Sequence, residues 1–135
     1  MHAFPSLSIP SILLGAFLSF VWGGLYWGLI SSRVAQAVRL DANTQKMPPV
    51  ALVFGFGTRI VIAFGIAAIT AFAGVSSPAA GALSGAAIFA VTVLPMMVGQ
   101  ASFGPPFGSW PRLAVALPEA LVGFAIMGAA GVLWR

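Results

Sequence analysis

Apolar residues fall in four long blocks, about Ile9 to Ile30, Val50 to Ala73, Ala79 to Gln100 and Arg112 to Trp134. Each block holds 22 to 24 residues. As α-helix that is roughly 33–36 Å, enough to cross a bilayer core with modest tilt. No two-residue alternation marks a strand, and lipid leaves irregular backbone unsatisfied, so the blocks predict helices. The longest uncharged run, Ile60 to Pro111, breaks at Gly74-Val75-Ser76-Ser77-Pro78. That break predicts a tight turn between the second and third helices. The expected fold is all-α: a four-transmembrane-helix bundle, one integral membrane domain over residues 1–135 with a loop at 33–48.

Ala35-Gln36-Ala37 has the small-x-small form of a leader cleavage site. The first block nevertheless reads as a retained helix. Its amino end has no Lys or Arg, its apolar run is long, and Arg33 stands between that run and the site.

Composition agrees with the pattern. The chain is 60% hydrophobic and 6% charged, with mean hydropathy +1.05, against roughly a quarter charged in soluble domains. The absence of Cys removes disulfides, thiolate nucleophiles and cysteine metal sites, and the lone His2 cannot build a metal centre. No cofactor is expected. The sequence pI near 11.4 comes from six basic residues scattered at loops and helix ends. This is a topology signal and not a nucleic-acid footprint.

Those cations predict orientation. Arg33, Arg39 and Lys46, with Asp41 as the one acid, follow the first helix, and Arg112 lies on the same side. The opposite side has Arg135 and His2. Loops one and three are therefore expected in the cytoplasm and both termini outside. Tyr26, Trp27 and Trp110 fall at inner helix ends and Trp134 at an outer one, as interfacial anchors more than a ligand cage. Residues 33–46 are either a solvated loop or a short helix in the headgroup layer, with Val34, Ala37, Val38 and Leu40 on one side. The loop Phe103 to Pro111 is rich in turn formers and aromatics, reads as an interfacial cap, and holds no phosphate cradle.

Two charges lie inside helices. Arg59 falls about ten residues into the second and Glu119 about eight into the fourth, which places them within roughly 5 Å in depth. On the biological insertion scale the second helix gains roughly −4 to −7 kcal/mol against about +3 for Arg59. The fourth gains roughly −3 to −5 kcal/mol against a similar penalty for Glu119, so it needs a partner. Ala116, Gly123 and Ala130 flank Glu119, and Gly55 and Ala63 flank Arg59. Small neighbours point both charges into the bundle. Three readings follow: an ion pair that fixes helix register, a contact for solute or proton passage, or two charges that never meet. Pro95 and Pro118 each remove a helical hydrogen bond, which leaves either a simple bend or a polar pocket. Small-xxx-small spacings occur at Gly24/Gly28, Gly81/Gly85 and Ala63/Ala67/Ala71.

Gly23-Gly24-Leu25-Tyr26-Trp27-Gly28, the Phe-, Gly- and Pro-rich third loop and the ending Leu121 to Arg135 carry a resemblance. They resemble an uncharacterised bacterial membrane family, domain of unknown function number 1761. Tyr26-Trp27 reverses that family's usual aromatic order, and Glu119 stands where a neutral residue is expected. The resemblance implies a four-helix integral membrane protein and no activity. From the residues themselves, a structural or accessory subunit is expected, working with the lipid bilayer and a larger membrane complex or a homo-oligomer. The alternative is a small oligomeric transporter or channel for protons, cations or small solutes, using Glu119 and Arg59. Enzymatic chemistry is not expected, since the bundle offers no second carboxylate, no internal His and no Cys.

Overall fold

A computed structural model describes residues 6–38, 49–105 and 108–134. Its helices are α1 (Ile9–Val38), α2 (Pro49–Phe72), α3 (Pro78–Phe103) and α4 (Trp110–Ala130), and no strand occurs among the described residues. All four contain a stretch long and apolar enough to cross a membrane. The protein is a multi-pass membrane protein. His2, Arg39, Asp41, Lys46 and Arg135 lie outside the described residues, and with them most of the expected 33–48 loop.

Four helix limits differ from the expected ones by two residues or more. Helix α1 does not stop near Ile30 but continues through Arg33 to Val38. Ser31 and Ser32 are too weak as breakers to end it, and Ala35, Gln36 and Ala37 favour helix. Its 30 residues are about 45 Å long, more than the hydrocarbon layer requires. Helix α3 runs past Gln100 to Phe103 and ends at Gly104, whose φ of 72° suits a residue without Cβ. Helix α4 starts at Trp110 and stops at Ala130, short of Trp134, with Gly131 as its cap and a turn beyond.

The turn between α2 and α3 forms where the sequence breaks. Gly74 takes φ 68°, and the Val75 N–H donates to the Thr70 carbonyl at 3.0 Å, closing the end of α2. Ser77 Oγ then accepts from the Ala80 N–H at 3.2 Å, and Pro78 occupies the first turn of α3. Ser109 Oγ does the same for α4, accepting from the Arg112 N–H at 3.4 Å.

Helix α4 packs against each of the other three. Along α1 the matched positions are Ser11 with Leu133, Gly15 with Met127, Ser19 with Gly123, Trp22 with Glu119, and Tyr26 with Val115. The two helices are therefore antiparallel. The α1 face is a stripe of Ser11, Gly15, Ser19 and Gly23, all buried and four residues apart. Against α3 the contact is backbone on backbone. A Cβ on Gly85 would strike the Phe124 carbonyl, and one on Gly128 would strike the Gly81 carbonyl. Phe89 and Phe124 pack beside this seam with ring centroids 5.3 Å apart. Helix α2 runs parallel to α4 and buries Ala63, Ile66, Ala67 and Thr70. Ala67 fits against Gly131, where a Cβ would meet its side chain at 3.2 Å. The buried core is Ile12, Ala16, Ala63, Ile66, Ala67, Phe89, Phe124 and Met127.

Gly81/Gly85 is thus a true packing seam. Gly24 and Gly28 are not: both are exposed, and a Cβ on either would meet nothing within 4 Å. This contrast gives opposite signs for one chemical change. Gly85→Ala or Gly128→Ala should force α3 and α4 apart and destabilise by about 1–3 kcal/mol. Gly24→Ala should be neutral or stabilise by up to about 1 kcal/mol through helix propensity. Denaturant unfolding in detergent micelles checks both, and equal losses at Gly24 and Gly85 would contradict this packing.

Candidate functional site

Arg59 occupies the middle of α2 and Glu119 the middle of α4, each about 15 Å from the start of its helix. Because α2 and α4 run in the same direction, the two side chains reach one level. Arg59 Nη2 lies 2.6 Å from Glu119 Oε1, with side chains 22% and 12% exposed. Arg59 Nη1 donates to Ser19 Oγ on α1. One guanidinium therefore ties α2 to α4 through a charge and to α1 through a hydroxyl.

Two glycines make room for it. A Cβ on Gly23 would lie 2.6 Å from Arg59 Nη2 and 2.7 Å from Glu119 Oε1. A Cβ on Gly123 would lie 3.0 Å from Ser19 Oγ and 3.3 Å from Arg59 Nη1. Ser19 and Gly23 sit one helical turn apart on α1, and Glu119 and Gly123 one turn apart on α4, so each polar group has a glycine beside it. The charges cross where neither helix carries a side chain.

Around the pair, α1 also grips the backbone of α4. Trp22 Nε1 donates to the Glu119 carbonyl at 3.2 Å, and Tyr26 Oη donates to the Val115 carbonyl at 2.7 Å. Pro118 brings no N–H to the Ala114 carbonyl, and the Tyr26 bond lies next to that weakened turn, at Val115. The rings of Trp22, Tyr26 and Trp27 form a row, with successive centroids 5.7 Å apart.

The sequence-predicted residues thus divide into groups. Arg59 and Glu119 are brought together, with Pro118 adjoining on the exposed side of α4. Tyr26 spends its hydroxyl on α4, and Trp27 packs edge-on against it. Trp110 and Trp134 are exposed near the two ends of α4. Pro95 is exposed on α3, a helix that gives no hydrogen bond to the pair, and α3 continues beyond it. Ser19, Trp22 and Gly23 were not foreseen as partners of the charges. The four-residue spacing of Ser11, Gly15, Ser19 and Gly23 was the available signal. No group of three potential metal ligands occurs among the described residues.

Removing one partner leaves an uncompensated charge away from water, whereas removing both does not. Arg59→Met or Glu119→Leu alone should cost about 3–5 kcal/mol, and the double change should recover most of that loss. A double-mutant cycle on unfolding in detergent measures the coupling. Additive single effects would show that the pair contributes no interaction energy.

No curated protein and no solved structure matches this chain. A family model does, across residues 10–131. All of the four helices but Ile9, the Gly23 to Gly28 element and the paired charges lie inside that match, and the chain belongs to the family described as protein of unknown function (DUF1761).

Proposed function

We propose that this protein is a structural or accessory subunit of a membrane assembly, with no catalytic chemistry of its own. The observation that carries the reading is the close fit around Arg59 and Glu119, where a Cβ on Gly23 would collide with both charged groups and one on Gly123 would crowd Ser19. The guanidinium and carboxylate are spent on each other and on Ser19, so the charges act as a clasp. The outward faces of α2 and α3 are strongly apolar. Val53, Phe54, Val61, Leu83 and Val91 are each more than 70% exposed, a surface suited to acyl chains or to the helices of a larger complex. The membrane in this reading is a bacterial inner membrane, and the cation distribution supports an orientation with both termini outside the cytoplasm.

A second reading rests on the depth of the pair. Charged groups at mid-span often belong to ion or proton paths, and a small oligomeric transporter would use Glu119 and Arg59 in that way. Purification of the tagged protein from its native membrane in mild detergent separates the two. A larger membrane protein recovered in fixed stoichiometry is the expected result. A pure homo-oligomer whose proteoliposomes conduct protons or cations, with flux abolished by Glu119→Gln, would replace the accessory reading with the transport one.

A further inference from the structure

The end of α3 and the start of α4 enclose an open groove, away from the ion pair, with a cavity volume of about 210 Å³. Met97, Leu113 and Ala116 form apolar walls, and Gln100, Ser109 and Arg112 form a polar side. Gly108 closes one end: a Cβ there would sit 2.8 Å from the Gln100 carbonyl, so the loop presses directly on α3. The Ser109 hydroxyl already caps α4. Arg112 has no carboxylate partner among the described residues. Of the two acids in the chain, Glu119 is committed to Arg59, and Asp41 lies outside the described residues.

The position of the groove selects its occupant. It lies at one end of two membrane-spanning helices, where apolar walls meet acyl chains and polar groups meet headgroups. Because α1 is antiparallel to α4, the end of α1 with Arg33 lies at this same end. Arg39 and Lys46 follow it in the sequence. The chain has formal net charge +4, and the described cations Arg33 and Arg112 are both at this end. An anionic membrane surface is the complementary partner.

We propose that this groove binds an anionic phospholipid, with Arg112 paired to the headgroup phosphate, Gln100 donating its amide beside it, and Met97, Leu113 and Ala116 holding the glycerol and first methylenes. The site works by a point charge beside an apolar wall, not by a backbone cradle. The cavity is smaller than pockets for drug-sized ligands, which start near about 300 Å³, and it suits a phosphodiester with its adjoining carbons.

The test is native mass spectrometry and thermal unfolding of purified protein in detergent supplemented with phosphatidylglycerol, phosphatidylcholine or inorganic phosphate. Phosphatidylglycerol should form retained adducts and raise Tm, while phosphatidylcholine and inorganic phosphate should not. Arg112→Gln should weaken retention about fivefold, the worth of one cation near an anionic headgroup. Arg112→Lys should keep most of it, and Arg33→Gln, at an exposed cation of the same end, should change it little. Equal losses in Arg33→Gln and Arg112→Gln would reduce the effect to diffuse surface attraction and overturn the groove. Equal protection by inorganic phosphate would overturn the lipid. An Arg112→Gln protein that unfolds at the wild-type temperature without lipid, yet retains phosphatidylglycerol fully, would also overturn it.

Discussion

In hydrocarbon a lone charge is costly, and this bundle is organised around that constraint. Arg59 meets Glu119 at 2.6 Å and also engages Ser19, so three helices share one neutralised group. The arrangement fixes both rotation and depth. Turning α2 by one residue, about 100°, would carry Arg59 toward lipid, and sliding it by one turn, about 5.4 Å, would draw it out of reach of Glu119. Apolar packing alone is less selective, because many registers of Leu, Ile and Phe cover similar area.

The remaining adhesion comes from close approach. Lipid tails are as apolar as the helices, so burial of apolar surface gives little preference for helix over lipid. Dispersion and short polar contacts decide the packing instead. Gly81, Gly85 and Gly128 bring α3 and α4 together at backbone distance. Ser11, Gly15, Ser19 and Gly23 do the same for α1, where Trp22 and Tyr26 add hydrogen bonds to α4 carbonyls. Helix α4 is the common partner of both seams. Helix α2 has a thinner contact, four buried residues and the arginine.

Much of this architecture was legible in the chain. Apolar block length gave the four helices, and Gly74 to Pro78 gave the turn, because glycine and proline act locally. The two charges stood out because hydrophobic surroundings make any ion conspicuous. Less legible was which small residues touch. Gly24/Gly28 and Gly81/Gly85 have the same spacing, yet only the second pair packs, since the face a helix presents depends on its neighbours. Ser19 and Gly23 look unremarkable in hydropathy, and their importance arises from a side chain forty residues away. The overrun of α1 to Val38 was hidden because the end of an apolar block marks where lipid ends, not where helical hydrogen bonding ends.

The chain order of the clasp has a consequence for biosynthesis. Arg59 is translated sixty residues before Glu119, so α2 must first reside in the bilayer with its cation unmatched, its long side chain stretched toward water. Helix α4 emerges after the other three and is only marginally able to insert by itself. Each half of the pair thus supplies what the other lacks: Arg59 offers α4 a counter-charge, and Glu119 neutralises the arginine already in place. Without α4, Arg59 would stand in the membrane with no carboxylate to meet it.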